Sequence, residues 1–113
     1  MKLRVEQTFD AATALPGHER CDVLHGHTYK VEMMVQGQEQ AGLLVDFSQL
    51  KDTLRQAVDA YDHRDLSKVF PYPSCEAIGL ALAKDLKSKI PQFSSLRIWE
   101  GEGKWVEVES QEV

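Results

Sequence analysis

The sequence predicts an α+β domain in the order ββααββ, with two helices covering one face of a four-stranded antiparallel sheet. Three patterns carry this: period-two alternation at both ends of the chain, two apolar stripes at helical spacing in the middle, and short links marked by Gly or Pro between them. Consecutive strands pair most easily as antiparallel neighbours, and each helix needs an apolar face to cover.

The first strand spans residues 2–12, with Leu3, Val5, Gln7 and Phe9 on one face and Arg4, Glu6 and Thr8 on the other. Pro16-Gly17-His18-Glu19 then breaks regular structure. Residues 27–35 alternate again, with Tyr29, Val31, Met33 and Val35 on one side. After a link bounded by Gly37 and Gly42, Asp46 reads as a helix cap with Gln49 reaching back to it. Leu50, Leu54, Ala57 and Val58 form the stripe of this helix, which ends near Tyr61. The second helix starts at Ser74, its cap, with Glu76 at the positive end of the dipole. Ile78, Leu82, Ala83, Leu86 and Ile90 make its core face, and Pro91 stops it. Two short alternating runs, 95–100 and 104–109, are joined by Gly101-Glu102-Gly103, a hairpin signal.

A chain of 113 residues fits one domain, 1–113, and no repeat or linker divides it. The formal charge of −5 and the lack of any Lys/Arg run exclude a nucleic-acid footprint, which needs a basic stripe to displace counterions. No apolar stretch reaches the roughly 20 residues that span a bilayer, and the start Met-Lys-Leu-Arg-Val-Glu lacks the apolar run of a signal peptide. A soluble cytoplasmic protein is expected, with small molecules or copies of itself as partners. In that compartment a disulfide between Cys21 and Cys75 is the weaker reading.

The residues that carry chemistry cluster in a few places. His25 and His27 lie two apart at the mouth of the second strand, on the same face and about 6.5 to 7 Å apart, so two imidazoles can converge on one ion. Gly26 between them adds no side chain. Taken alone, the tripeptide also describes two surface histidines at a strand end. Cys21 sits four residues earlier; a nearby cation stabilises its thiolate as a nucleophile or base, against the plainer reading of a small buried filler. Asp62-His63 follows the first helix, where a carboxylate can orient an imidazole for proton transfer, or both can serve as caps or solvated surface.

Phe9-Asp10-Ala11-Ala12, Cys21-Asp22-Val23-Leu24-His25-Gly26-His27, Val45-Asp46-Phe47, Asp62-His63-Arg64-Asp65-Leu66, Pro73-Ser74-Cys75-Glu76 and Trp99-Glu100 occur in an order that resembles the 6-pyruvoyltetrahydropterin and 6-carboxytetrahydropterin synthase family over nearly the whole chain. The resemblance implies the tunnelling fold, in which ββααββ subunits join their sheets into a barrel, commonly as two stacked trimers (a homohexamer), with sites between subunits. It implies Zn2+ held by His25 and His27, Cys21 as the catalytic thiol, and Asp62 with His63 as the proton-transfer pair. Glu100 is then the carboxylate that holds the amino-pyrimidine edge of a pterin, and Ser74 and Cys75 help line the pocket.

The spacing from Cys21 to the histidines looks more like the 6-carboxytetrahydropterin synthases, whose implied substrate is 7,8-dihydroneopterin triphosphate and whose product is a queuosine-type deazapurine precursor. The implied activity is a carbon–oxygen lyase. In that scheme zinc acts as a Lewis acid on the side-chain hydroxyls, Cys21 removes a carbon-bound proton and His63 exchanges protons from the opposite side. The loop cysteine argues against the subgroup that carries a glutamate there and cleaves the side chain in aldolase fashion. Lys30, Arg64 and Lys68 are the cations available to a triphosphate.

One departure stands out. The family places its third zinc histidine directly after the Phe-x-Ala-Ala turn, where this sequence has Thr13. A relocated ligand at His18, ligation by Cys21, and loss of the metal in a diverged pterin-binding protein all remain open, as does a small oligomeric protein with incidental histidines.

Overall fold

Two long alternating runs at the start of the chain pair into an antiparallel hairpin, β1 (Lys2–Thr13) against β2 (His25–Gln36), in register from Lys2 opposite Gln36 to Thr13 opposite His25. The computed structural model describes residues 1–20 and 22–113. After the hairpin come α1 (Phe47–Asp59), β3 (Arg64–Asp65), a 3-10 turn (Leu66–Lys68), α2 (Cys75–Lys89), β4 (Phe93–Glu100), β5 (Trp105–Glu109) and a last 3-10 turn (Ser110–Glu112). The sheet order is β3-β1-β2-β4-β5.

The four expected strands pair antiparallel as β1-β2-β4-β5, and a two-residue fifth strand, β3, makes the sheet a mixed one. β3 pairs parallel with β1, Arg64 opposite Ala11 and Asp65 opposite Ala12. Two residues are too short to show alternation, and long-range contacts hold them in place: the His63 N–H donates to the Asp10 carbonyl at 2.6 Å, and the Ala14 N–H to the Ser67 hydroxyl at 2.9 Å. No described helix is long and apolar enough to cross a membrane.

Both helices pack on one face. α1 lies against β1, and α2 against β4 and β5. Phe9, Tyr29, Val31, Leu54, Leu82, Leu96 and Ile98 lie in the core between these layers, with Phe9 stacked on Tyr29 at 4.8 Å between ring centroids. The caps are local chemistry. Asp46 accepts from the Ser48 N–H at 2.7 Å, rather than forming the expected reciprocal pair with Gln49, and Ser74 accepts from the Ala77 N–H at 3.1 Å. Gln7, polar on the core face of β1, is accommodated by α1: Arg55 donates to its carbonyl, and its amide reaches the Lys51 carbonyl at 3.5 Å. Strands of 12 residues extend about 40 Å, which explains a long axis of 53 Å against 25 Å across.

The opposite face of the sheet is polar and cross-linked. Glu32 on β2 accepts from Arg4 at 3.1 Å and from the Trp99 indole at 3.0 Å, and Lys30 lies 3.4 Å away. The Arg4 hydrogen bond above all holds the Glu32 carboxyl down to about 2. Because its free value is 4.5, the stability this contributes is full above that value and fades as pH falls toward about 2. Glu32→Gln is expected to lower the melting temperature at pH 7, and the deficit to shrink as the titration is carried below pH 4, read by thermal denaturation of both proteins. On the helix side, α2 approaches β4 most closely at Gly79, where an added Cβ meets Ile98 Cγ2 at 3.1 Å. Gly79→Leu is expected to cost about 1–3 kcal/mol by overpacking, seen as a lower denaturant midpoint.

Candidate metal and pterin site

Strand alternation sorts the distinctive side chains onto two faces. Thr13, His25, Ala11 and His27 face each other across β1 and β2 on the helix side. β4 adds Glu100, opposite Tyr29. Asp10 and Thr28 occupy the other face, where the Thr28 hydroxyl donates to the Asp10 carboxylate at 2.6 Å.

On the helix side the two imidazoles lie 4.4 Å apart between ring centroids, at 66° to each other. His25 Nδ1 is 2.7 Å from the Val23 carbonyl. A carbonyl only accepts, so that nitrogen carries a proton. His27 Nε2 is 3.3 Å from Glu100 Oε1, with the side chains 19% and 22% exposed. Burial lowers the His27 pKa, with His25 and Lys104 adding to the effect and Glu100 opposing it. His27 is thus a neutral imidazole near pH 7, the form that binds metal.

Around this pair the pocket is tight. Cys75, the first residue of α2, shares a cavity of about 150 Å3 with Glu100 and Lys104. Its thiol is free, points at the Ile98 carbonyl at 3.6 Å, and burial, with Glu100 adding, pushes it up to about 12. It lines the pocket as a neutral group. Ser74 serves first as the cap of α2. Burial, reinforced by Glu100, raises the Tyr29 phenol above its usual range, an effect that Thr13 partly offsets.

Asp62 and His63 lie at the β1 edge of the sheet, beside Asp10 and just before β3. The Asp62 carboxylate accepts the Asp10 N–H at 3.0 Å and sits 3.0 Å from His63 Nδ1. The Asp10 amide above all holds its carboxyl below the usual range. His63 adopts a left-handed φ of 58° and its side chain is 78% exposed. A non-glycine residue held in that region is unusual and sets the direction in which the imidazole projects. A groove of about 490 Å3 runs beside it, bordered by Asp10, Gly26, His27, Thr28 and Arg64.

The structure therefore pairs His25 with His27, sets Glu100 beside His27 and Cys75 beside Glu100, and anchors Asp62 and His63 on the Asp10 backbone, with His63 and His27 bordering one groove. Cys21, the expected thiol, lies outside the described residues. His18 is exposed in the Pro16-Gly17 turn. Lys30 is engaged by Glu32 and by the Trp99 ring, 4.6 Å from its centroid; Arg64 borders the groove and Lys68 ends the 3-10 turn. Sequence reasoning missed Lys104. Its signal was the Gly101-Glu102-Gly103 turn, whose left-handed glycines (φ 68° and 81°) fold β5 back over Glu100.

The 6-pyruvoyl tetrahydropterin synthase family model matches residues 2–111. The chain belongs to that family. Among similar proteins, the dihydroneopterin monophosphate aldolase of Pyrococcus furiosus is 35% identical over 114 residues, covering 96% of this chain and 99% of that one. The 6-carboxy-5,6,7,8-tetrahydropterin synthase of Haemophilus influenzae is 30% identical over 129 residues, covering 88% and 92%. Among solved structures, the Caenorhabditis elegans 6-pyruvoyl tetrahydropterin synthase superposes with a TM-score of 0.88 at 20% identity, covering 96% of this chain and 94% of that one. The architecture is that of the family's tunnelling fold.

The family is generally zinc-dependent. Against that expectation, the helix-side face offers two imidazoles and a carboxylate, a donor set that suits Zn2+. Thr13, where the resemblance leads one to expect a third histidine, is only 3% exposed and in register with His25, and a neutral hydroxyl is a poor zinc ligand.

The Asp62 contacts make a separate prediction. Asp62→Ala removes the acceptor of the Asp10 N–H, so amide hydrogen exchange at Asp10 is expected to accelerate while β4 and β5 amides keep their protection.

Proposed function

We propose that the protein is a tetrahydropterin-synthase-type lyase acting on a dihydroneopterin phosphate, most simply 7,8-dihydroneopterin triphosphate in the 6-carboxytetrahydropterin branch that leads to queuosine-type deazapurines. The observation that carries this reading is the approach of Glu100 to His27, 3.3 Å away, beside a cavity that Glu100 shares with Cys75. Glu100 anchors the pterin, since a carboxylate accepts two parallel N–H bonds from an amino-pyrimidine edge. Cys75 and Ser74 line its far side. His25 and His27 would hold zinc, which when bound polarises the substrate's side-chain hydroxyls.

Cys21 then removes the carbon-bound proton, and the Asp62–His63 pair returns one from the opposite side. The resemblance implies sites between subunits, and in this reading the Asp62–His63 pair that completes a site comes from a neighbouring copy. The proposal therefore includes a homo-oligomer, a hexamer of two stacked trimers, with residues 1–113 as one domain of a cytoplasmic protein.

A second reading is favoured by the 35% identity to the Pyrococcus furiosus aldolase: carbon–carbon cleavage of the side chain of a dihydroneopterin phosphate. The two leave different products. The synthase reading releases inorganic triphosphate; the aldolase reading releases a two-carbon phosphorylated aldehyde.

Purified protein incubated with 7,8-dihydroneopterin triphosphate, with products separated by mass spectrometry, is expected to show triphosphate release that drops at least about 100-fold in Cys21→Ala, within the range that general acid–base groups contribute. Unchanged turnover in that variant excludes the thiol's role. Thr13→His, which adds the missing imidazole, is expected to raise zinc content and turnover together. Pterin binding without product in either assay identifies a pterin-binding protein instead.

A further inference from the structure

We propose that Lys104 sets the specificity of the pterin pocket: its ammonium donates to the ring oxygen on C4 while Glu100 takes the two N–H groups beside it, so that the pair selects a 4-oxo ring over a 4-amino one. This role rests on the reading of Glu100 as the pterin anchor and extends it to the neighbouring side chain.

Strand register is the first ground. β4 and β5 pair antiparallel as far as Trp99 opposite Trp105. One step nearer the turn, Lys104 stands opposite Glu100. Residues directly opposite on an antiparallel pair project to the same face, with Cβ atoms about 4.5–5.5 Å apart. That face is the helix side: Val108 is in the core, Val106 packs against it, and Lys104 precedes them at period two. Both side chains border the same cavity of about 150 Å3, together with Cys75, Glu76, Trp105 and Val106.

The second ground is that this cation is not neutralised by a partner. Arg4, Lys30 and Arg97, elsewhere on the sheet, are each held by a glutamate, at 3.1, 3.4 and 3.0 Å. Lys104 borders a cavity with two carboxylates, Glu76 and Glu100, yet among the described residues it forms no ion pair with either. Its charge still reaches the pocket, lowering the His27 pKa and opposing the rise at Cys75. The contact of Glu100 with His27 engages one oxygen, and an ionised carboxylate offers about four lone-pair sites, so Glu100 keeps acceptors for a ligand.

An amino-pyrimidinone edge matches an anion and a cation set side by side. It presents in order the 2-amino N–H, the N3–H and the oxygen on C4, two donors and then an acceptor. A carboxylate takes the two donors in parallel, which leaves the oxygen at the flank, where the neighbouring ammonium donates to it. Guanine carries the same edge, and lysine and arginine are common partners of its oxygen. A 4-amino ring loses the N3 proton and sets a donor against the Lys104 donor, and a site built around specific hydrogen bonds rejects an analogue that lacks them.

The test uses full-length protein titrated calorimetrically with 6-hydroxymethylpterin and with 2,4-diamino-6-hydroxymethylpteridine, with circular dichroism reporting the fold. Wild type is expected to prefer the 4-oxo ligand. Lys104→Met is expected to cut that preference about 10–100-fold, the worth of one hydrogen bond to a charged group, chiefly by weakening the 4-oxo ligand. Lys104→Arg, which still donates, is expected to keep it. A folded Lys104→Met that retains the wild-type preference, whether its two affinities are unchanged or fall together, overturns the proposal. So does a wild type with no preference. Failure of Glu100 as the anchor shows differently, as an affinity for the 4-oxo ligand that Glu100→Gln leaves unchanged.

Discussion

The antiparallel register of β1 against β2 is the constraint on which the rest of the site depends. With Ala11 opposite His27 and Thr13 opposite His25, strand alternation assigns the imidazoles to the helix side and Asp10 with Thr28 to the other. A slip of one residue exchanges those faces. It also turns Phe9 and Tyr29 out of the core, and the stack between them ties the register to the burial that stabilises the fold.

That burial also shapes the chemistry. The same desolvation that keeps His27 neutral pushes the Cys75 thiol and the Tyr29 phenol toward their protonated forms. Glu100 is the anionic side chain among them, and it opposes the fall at His27 while reinforcing the rise at Cys75 and Tyr29. This carboxylate faces the His27 imidazole and shares its cavity with Glu76 and Lys104.

The legible parts of the fold are those with local causes. Alternation in β1 and β2, the helical stripes, the Asp46 and Ser74 caps and the glycine turn before β5 each depend on neighbours in sequence. β3 depends instead on the Asp10 carbonyl more than fifty residues away, and two residues carry no period. The candidate site divides the same way. His25 and His27 announce themselves by spacing, and Asp62-His63 by adjacency. The approach of Glu100 to His27 and the return of Lys104 over Glu100 are cross-strand effects, set by the pairing of β2, β4 and β5. Cys21 was named from its place in the motif and lies outside the described residues.

The proposed assembly, in which the Glu100 side and the Asp62–His63 side of a site come from different copies, has a genetic consequence. In such an oligomer, a chain damaged at Glu100 and a chain damaged at His63 would each be inactive alone. Mixed in one particle, they build some sites in which both sides are intact. Two loss-of-function alleles of this kind can therefore complement each other inside a single assembly, whereas two alleles damaged on the same side cannot.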